Sequence, residues 1–284
     1  MDFLKRNIDI LLILALGFVL RFSVSMIHSY SNDELSAVTR LRFDNFSDLV
    51  EFGVKTGDMH PAGVQFFMKF WSYIAGTSEV GMRFPFVIFG TLSILVVFLI
   101  GKQWFNRKVG LYASGLLAVL YFPIMNSEFA RPYSPGLLIC LLVGFFIHKV
   151  LFDFDKKWRN AVILGLLFAA AMYTHYFAFL FVGFIGVSGL IFINKSNWKQ
   201  LFLAGLIGLS LFLPHYQITE FHLNVGGLQW LPPPNSTWLL AFLSHAFNAS
   251  WIVISLLIVM VALGVYFGRN EIPFQKRNIV LLII

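Results

Sequence analysis

The chain alternates long apolar runs with short polar breaks. After Lys5 and Arg6 an apolar run extends from Ile8 to about Ile27. Further runs lie at about 80–101, 109–125, 132–150, 160–193, 200–216 and 251–268, and a last one opens at Ile279. Most of these runs approach the roughly 20 residues that a helix needs to cross a bilayer. The run 160–193 is too long for one crossing and short for two. Basic residues flank it, with Lys156, Lys157 and Arg159 before it and Lys195 and Lys199 after it. Both ends therefore face the same side, and the number of crossings is even. A turn at Thr174-His175-Tyr176 resolves the run into two short spans of about 25 Å each.

Two long polar stretches interrupt the pattern, at about 28–79 and 217–250. In the first, the spacing predicts short helices over 33–43 and 46–56. From His60 to Ala75, apolar residues surround Gln65 and Lys69. That segment reads as a helix lying along the interface, because a crossing there would invert every later loop. The count is then eight complete or begun crossings and a partial ninth, with unbroken spans.

Composition agrees. Hydrophobic residues make up 58% and charged ones 12%, the latter about half the share usual in a soluble domain. Mean hydropathy is +0.77. A soluble enzyme with one anchor, a disordered chain and a nucleic-acid-binding domain are excluded. The net charge of +7 forms no single patch. Of the 21 basic residues, 14 sort to the side of the N-terminus, and nine of the 14 acids sort to the other. The N-terminus is therefore assigned to the cytoplasm and the two long polar loops to the outer side. Ser23-Val24-Ser25 would pass as a signal-peptide cleavage site, but a retained first span is the simpler reading. A lone cysteine, Cys140, excludes an internal disulfide or a cysteine-based metal site. The 33 Phe residues read as bulky packing groups in lipid.

The candidate chemistry gathers on the outer side. Asp33-Glu34 follows the first span and could supply a general base, or simply open a helix with Asn32 or Asp33 as its cap. His60-Pro61 follows Asp58; the His could bind phosphate, donate a proton or ligate a metal, and Pro61 suits the start of a helix. Arg83-Phe84-Pro85 opens the second span, where an Arg commonly snorkels, and Arg21 near the outer end of the first span has the same explanation. Glu128-Phe129-Ala130-Arg131-Pro132-Tyr133 puts an acid and an Arg in one tight connection. There they either pair with each other or bind something, and Arg suits phosphate by its bidentate fork. His175-Tyr176 occupies the deduced outer turn. His215, His222 and His245 lack metal-ligand spacing, and Trp230-Leu231-Pro232-Pro233-Pro234 forms a rigid extended turn.

In order, Arg21, Asp33-Glu34, Asp58-Met59-His60-Pro61, Arg83-Phe84-Pro85, Glu128-x-Ala130-Arg131-Pro132-Tyr133 and Thr174-His175-Tyr176 resemble the polyprenyl-phosphate-sugar-dependent glycosyltransferases of the GT-C fold. They are most similar to the branch related to protein O-mannosyltransferases and the aminoarabinose transferase of lipid A. The resemblance implies an all-α integral membrane protein, a GT-C-like multi-spanning helical bundle with a helical first outer loop, forming one transmembrane domain over 1–284. It implies a sugar on undecaprenyl or dolichyl phosphate as donor and a hydroxyl acceptor on protein, lipid or glycan, and inverting transfer at the outer face of the cell membrane. Asp33, with Glu34, would be catalytic, Asp33 as general base. Arg131 and Arg83 would stabilise the departing phosphate. His60, Glu128, Tyr133, His175 and Tyr176 would position donor or acceptor. No cofactor or metal is expected, although the outer carboxylates and His60 could bind a divalent cation; membrane lipids are partners and nucleic acid is not. Relatives often carry an aromatic pair where Ser31-Asn32 stand, and they run to roughly twice this length, so a truncated C-terminus is expected. Competing readings are a lipid-linked-sugar transporter or flippase, which would show charged or broken helices near the midplane, and a non-catalytic truncated remnant.

Overall fold

The computed structural model describes residues 2–153, 157–225 and 233–268. Its described elements are helical, with no strand among them. The first is α1 (Asp2–Ser25), followed by α2 (Asn32–Thr39) and a 3-10 turn over Arg40–Arg42. Next come α3 (Phe46–Asp48), continued by a π-helical turn over Leu49–Lys55, and α4 (Ala62–Ala75). Long helices follow: α5 (Glu79–Trp104), α6 (Arg107–Val119) with α7 (Tyr121–Glu128), α8 (Tyr133–Phe152), α9 (Lys157–Thr174), α10 (Tyr176–Leu190) and α11 (Trp198–Phe212). A 3-10 turn, Leu213–His215, leads into α12 (Tyr216–Val225), and α13 (Trp238–Ala246) precedes α14 (Trp251–Gly268).

By length and composition, four stretches can cross a membrane: Arg6–Ser25, Glu79–Trp104, Tyr133–Phe152 and Trp198–Val225. The bent pairs α6–α7 and α13–α14 add up to two more. The remaining two crossings expected from the sequence are the hairpin α9–α10, which breaks at His175 as the flanking charges required. These helices fall short of the length and hydropathy of a full span: α9 opens with a polar turn, and α10 has 15 residues. The run beginning at Ile279 and the extended turn at 230–232 lie outside the described residues.

Two helical groups share α8. In one, α5 packs against α1, α6 and α8. In the other, α8, α9, α10 and α11 enclose a core built on Val143, Ile147, Leu164, Phe168, Val182 and Ile185. In this group α9 packs closely on α11. There a Cβ on Gly165 would stand 2.8 Å from the Ala204 carbonyl oxygen, the kind of small-residue contact that lets membrane helices approach.

The expectation of unbroken spans is corrected at Leu120, where α6 and α7 meet at 60°. Pro123 in the first turn of α7 lacks the N–H that would continue the ladder. Arg21 meets the end of α6 at this break. It is fully buried rather than snorkelled, and it donates to the carbonyls of Gly17 and Ala118 at 3.0 Å and of Leu117 at 2.9 Å. Two carbonyls at the end of α6 are thus taken by a side chain of α1, whose own Nε stays buried without a hydrogen-bond partner among the described residues.

Candidate functional site

The 28–79 loop, the 128–133 connection, the turn at His175 and the start of α12 come together at one end of the bundle. The loop is fixed by its own chemistry. Ser31 caps α2, its hydroxyl accepting from the Glu34 N–H while the Ser31 N–H donates back to Glu34 Oε2 at 3.0 Å. This capping box places the cap at Ser31, one residue before Asn32 and two before Asp33, the caps expected. The α4 helix presents Gln65 and Lys69 four residues apart, and they donate to the carbonyls of Ala37 and Leu41. The two polar residues inside the interfacial segment therefore bind α2 and its 3-10 extension onto α4.

Glu34 is completely buried and faces Arg83, which is 1% exposed. Arg83 Nε and Nη2 donate to its two oxygens at 2.8 and 2.7 Å. The other three Arg83 N–H groups go to the carbonyls of Ser25, His28 and Ser29. The Ala130 N–H adds a bond to Glu34 Oε1 at 3.0 Å, which ties the 128–133 connection to the loop. Burial alone would raise the Glu34 carboxyl, but the bonds from Arg83, Ala130 and Ser31 outweigh it and hold it below its ordinary value.

Asp58 centres a different cluster. Arg40 Nη2 donates to its Oδ2 at 2.5 Å and Arg131 Nη1 to the same oxygen at 3.0 Å. His60 Nδ1 lies 2.7 Å from Oδ1. Burial would raise the Asp58 carboxyl, yet His60 and the two guanidinium groups bring it far below the carboxylate range. The ionised Asp58 carboxylate can only accept, so it assigns the proton to His60 Nδ1, and Arg131 Nη2 at 3.1 Å from that nitrogen stands beside it as a close neighbour rather than a hydrogen-bond donor. His60 Nε2 has no hydrogen-bond partner among the described residues. Arg40 and Arg131 are 8% and 6% exposed, and the Nε of each is buried without a hydrogen-bond partner among the described residues. A cavity of about 10 Å³, bordered by Asp58, His60, Gln65, Met68 and Arg131, has room for about one water. The His175 ring meets His60 at 5.2 Å and Tyr133 at 6.4 Å. Burial, then His60 and Arg131, push His175 down to about 4, so it is neutral at pH 7.

Asp33 is exposed and takes no hydrogen bond or ion pair from the described residues, while lying within electrostatic reach of Arg40 and Tyr133. Glu128 does not pair locally with Arg131. It is buried, and its Oε2 lacks a hydrogen-bond partner among the described residues. Tyr176 points to α12, its hydroxyl 2.6 Å from His222 Nδ1. The structure thus brings His60, Arg131, Tyr133 and His175 together, sets Asp33 beside them, and puts Glu34 and Arg83 in a separate closed pair. The sequence reading missed Arg40 and the central part of Asp58. The S-x-x-E pattern at 31–34 was a legible signal for the cap; nothing local marks Arg40. Among the described residues no group of three His, Cys, Asp or Glu is arranged to hold a metal, and the carboxylate of Asp58 is already neutralised by two cations.

A multi-spanning helical membrane protein with a buried cationic cluster at one end of its bundle is the class this architecture defines. Residues 59–218, more than half the chain, match the family model described as dolichyl-phosphate-mannose-protein mannosyltransferase, and the chain belongs to that family. The matched stretch runs from the residue after Asp58 into α12. The fold is similar to that of the S. cerevisiae protein O-mannosyltransferase Pmt1-Pmt2 complex bound to the sugar donor, with a TM-score of 0.55 and 14% identity over 80% of this chain and 34% of that one. This chain therefore spans about a third of the length of that solved protein. Among curated proteins, none matches the chain.

Proposed function

We propose that the protein transfers a sugar from a polyprenyl-phosphate donor to a hydroxyl acceptor, with inversion, at the outer face of the cell membrane. The observation that carries this reading is the state of the carboxylates around the cluster. Glu34 and Asp58 are saturated by arginines, and Glu128 is buried. Of these four carboxylates, Asp33 alone is exposed and has no hydrogen bond or ion pair with the described residues. It is the group free to take a proton.

In the proposed step the acceptor O–H gives its proton to the Asp33 carboxylate. Its oxygen pair forms the new bond to the anomeric carbon, and the bond from that carbon to the phosphate oxygen breaks. The polyprenyl phosphate leaves with one more negative charge. Arg131, with Arg40, is the cation pair placed to meet that charge: two guanidinium groups share one carboxylate, and each retains a buried Nε–H without a partner. Arg83, with all its N–H groups engaged, is assigned to holding Glu34 and the loop rather than to the phosphate. His60, Tyr133 and His175 border the acceptor side, and Glu128 and Tyr176 support it. The family match favours mannose as the sugar.

Purified protein in lipid nanodiscs, given a radiolabelled polyprenyl-phosphate mannose and a hydroxyl acceptor, tests the reading. Asp33→Asn is expected to lower transfer by at least about 100-fold, the scale of a lost general base, without changing thermal stability. Full transfer by Asp33→Asn overturns the assignment of the base. Translocation of intact donor without transfer by the wild type overturns the reaction in favour of a flippase.

A further inference from the structure

The three histidines after residue 213 have no metal-ligand spacing, and the proposed reaction leaves them unused. Two of them, His215 and His222, lie with Ile218 and Thr219 on one buried face of the turn into α12, at helical spacing. His215 is 1% exposed. Its Nε2 accepts the Ala62 N–H at 3.0 Å, and its Nδ1 meets the Thr219 hydroxyl at 2.9 Å. A backbone N–H can only donate, so Nε2 is the unprotonated nitrogen and Nδ1 carries the proton. His222 has the opposite arrangement. Its Nε2 faces the carbonyls of Val54 and Lys55 at 3.3 and 3.2 Å and must donate, while Nδ1 accepts from Tyr176 Oη at 2.6 Å. Ile218 packs with Val54 and Ala62 in a small core of its own, and the Lys55 ammonium lies 5.0 Å over the Phe221 ring.

The contacts fall on both ends of one short segment. His222 takes hold at Lys55 and His215 at Ala62. Between them stand only residues 56–61, which carry Asp58 and His60. We propose that His215 and His222 are positioning residues for the transfer reaction, gripping this segment so that the Asp58 cluster is held against Arg131 and His175. The inference rests on the function proposed above. The grip is long-range, since the partners are 153 and 168 residues apart in sequence, and a displacement of about 1 Å at a reacting group costs on the order of 100-fold in rate. The Tyr176 hydroxyl extends the brace to the turn that carries His175.

The opposite tautomers dictate the test. In His215→Gln the amide oxygen can still accept the Ala62 N–H, and in His222→Gln the amide NH₂ can still donate to the Val54 and Lys55 carbonyls; leucine can do neither. Hydrogen exchange on the full chain in nanodiscs reads the grip without reference to activity. The Leu variants are expected to exchange the Ala62 amide and the 56–61 segment about tenfold faster, with the Gln variants close to wild type. Transfer assays are expected to show kcat down by about 10- to 100-fold in the Leu variants, with the donor KM changed less than about threefold and kcat restored by Gln. Tyr176→Phe, which removes only the hydroxyl facing His222 Nδ1, gives a milder loss and serves if a Leu variant fails to fold. Unchanged exchange in the folded Leu variants, Gln variants as impaired as Leu, or wild-type kcat in the Leu variants each overturns the proposal. A grip visible in exchange in a protein that never transfers sugar overturns the proposed function instead.

Discussion

Two arginine–carboxylate sites stand at the same end of this bundle and are built to opposite specifications. Between Glu34 and Arg83 the charges are matched one to one. All five N–H groups of the guanidinium find oxygen, and both carboxylate oxygens accept from further donors. Around Asp58 one carboxylate serves two guanidinium groups, both Nε–H groups are left buried without partners, and a cavity the size of a water opens beside them. Buried polar groups are ordinarily satisfied. A complete set therefore reads as scaffold, whereas two cations on one carboxylate beside a cavity read as a place kept for an anion; an unpaired Nε–H alone does not, since the buried Arg21 has one too. Residue type does not separate the two sites; hydrogen-bond accounting does.

The sharpest way to break the comparison is to open the closed pair. Arg83→Leu leaves Glu34 as a buried charge without its partner, and such losses cost about 3–5 kcal/mol. The variant is expected to lose most of its folded yield, and its melting temperature in detergent should fall well below wild type. Glu34→Gln should do the same in lesser degree, since Arg83 keeps its three carbonyls. A wild-type melting temperature for Arg83→Leu would show that the pair is not scaffold.

The open cluster should respond in the other coordinate. Arg131→Ala leaves Asp58 with Arg40 and His60, so the fold should survive. The lost stabilisation of leaving-group charge is expected to lower kcat by about 100- to 1,000-fold. Arg131→Lys keeps the charge but not the fork and should recover part of that. Arg40→Lys, one step further from the 128–133 connection, is expected to cost about tenfold, with single-turnover transfer in nanodiscs as the measurement. If Arg131→Ala destabilises as severely as Arg83→Leu while each folded molecule transfers at the wild-type rate, the distinction between the two sites collapses.

The fold was largely legible because its information is local. Hydrophobic run lengths and flanking lysines located α1, α5, α8, the α9–α10 hairpin and α11, and the apolar segment from His60 to Ala75 read as a helix along the interface; that its Gln65 and Lys69 bind the loop shows only in the structure. The break at Leu120 was not legible, because the last carbonyls of α6 there are met by Arg21, about 100 residues earlier. The site divides in the same way. Asp33, His60, Arg131 and His175 were singled out as candidates from short motifs and the side of the membrane they were expected to share. Arg40 stands in an unremarkable Thr-Arg-Leu-Arg, and its role exists only because the loop folds Asp58 back onto it. Glu34 was paired with Asp33 as an equal, although the capping box turns one carboxylate inward and leaves its neighbour outside.

The smallest expected effect sharpens the comparison through pH. His175 touches the open cluster, and burial with the nearby His60 and Arg131 lowers it to about 4, against about 6.5 in the unfolded chain. Between those values the unfolded state binds the proton and the folded state does not, so stability rises with pH across the window. The contribution is fully present above about pH 6.5 and is lost as pH falls toward about 4. Glu34 and Asp58 have lowered carboxyls. Their contribution is present above the ordinary carboxylate value and is lost only below it, so it leaves this window clear. The ring is partly exposed, and the difference in stability between pH 7.5 and 5 is expected to be on the order of 1 kcal/mol. His175→Gln should remove that increment while leaving any contribution from other histidines in place, so the comparison with wild type isolates it. An identical melting-temperature drop in the two proteins between these pH values would mean that His175 does not feel the cations of the cluster, and that the charge excess around Asp58 is weaker than its geometry implies.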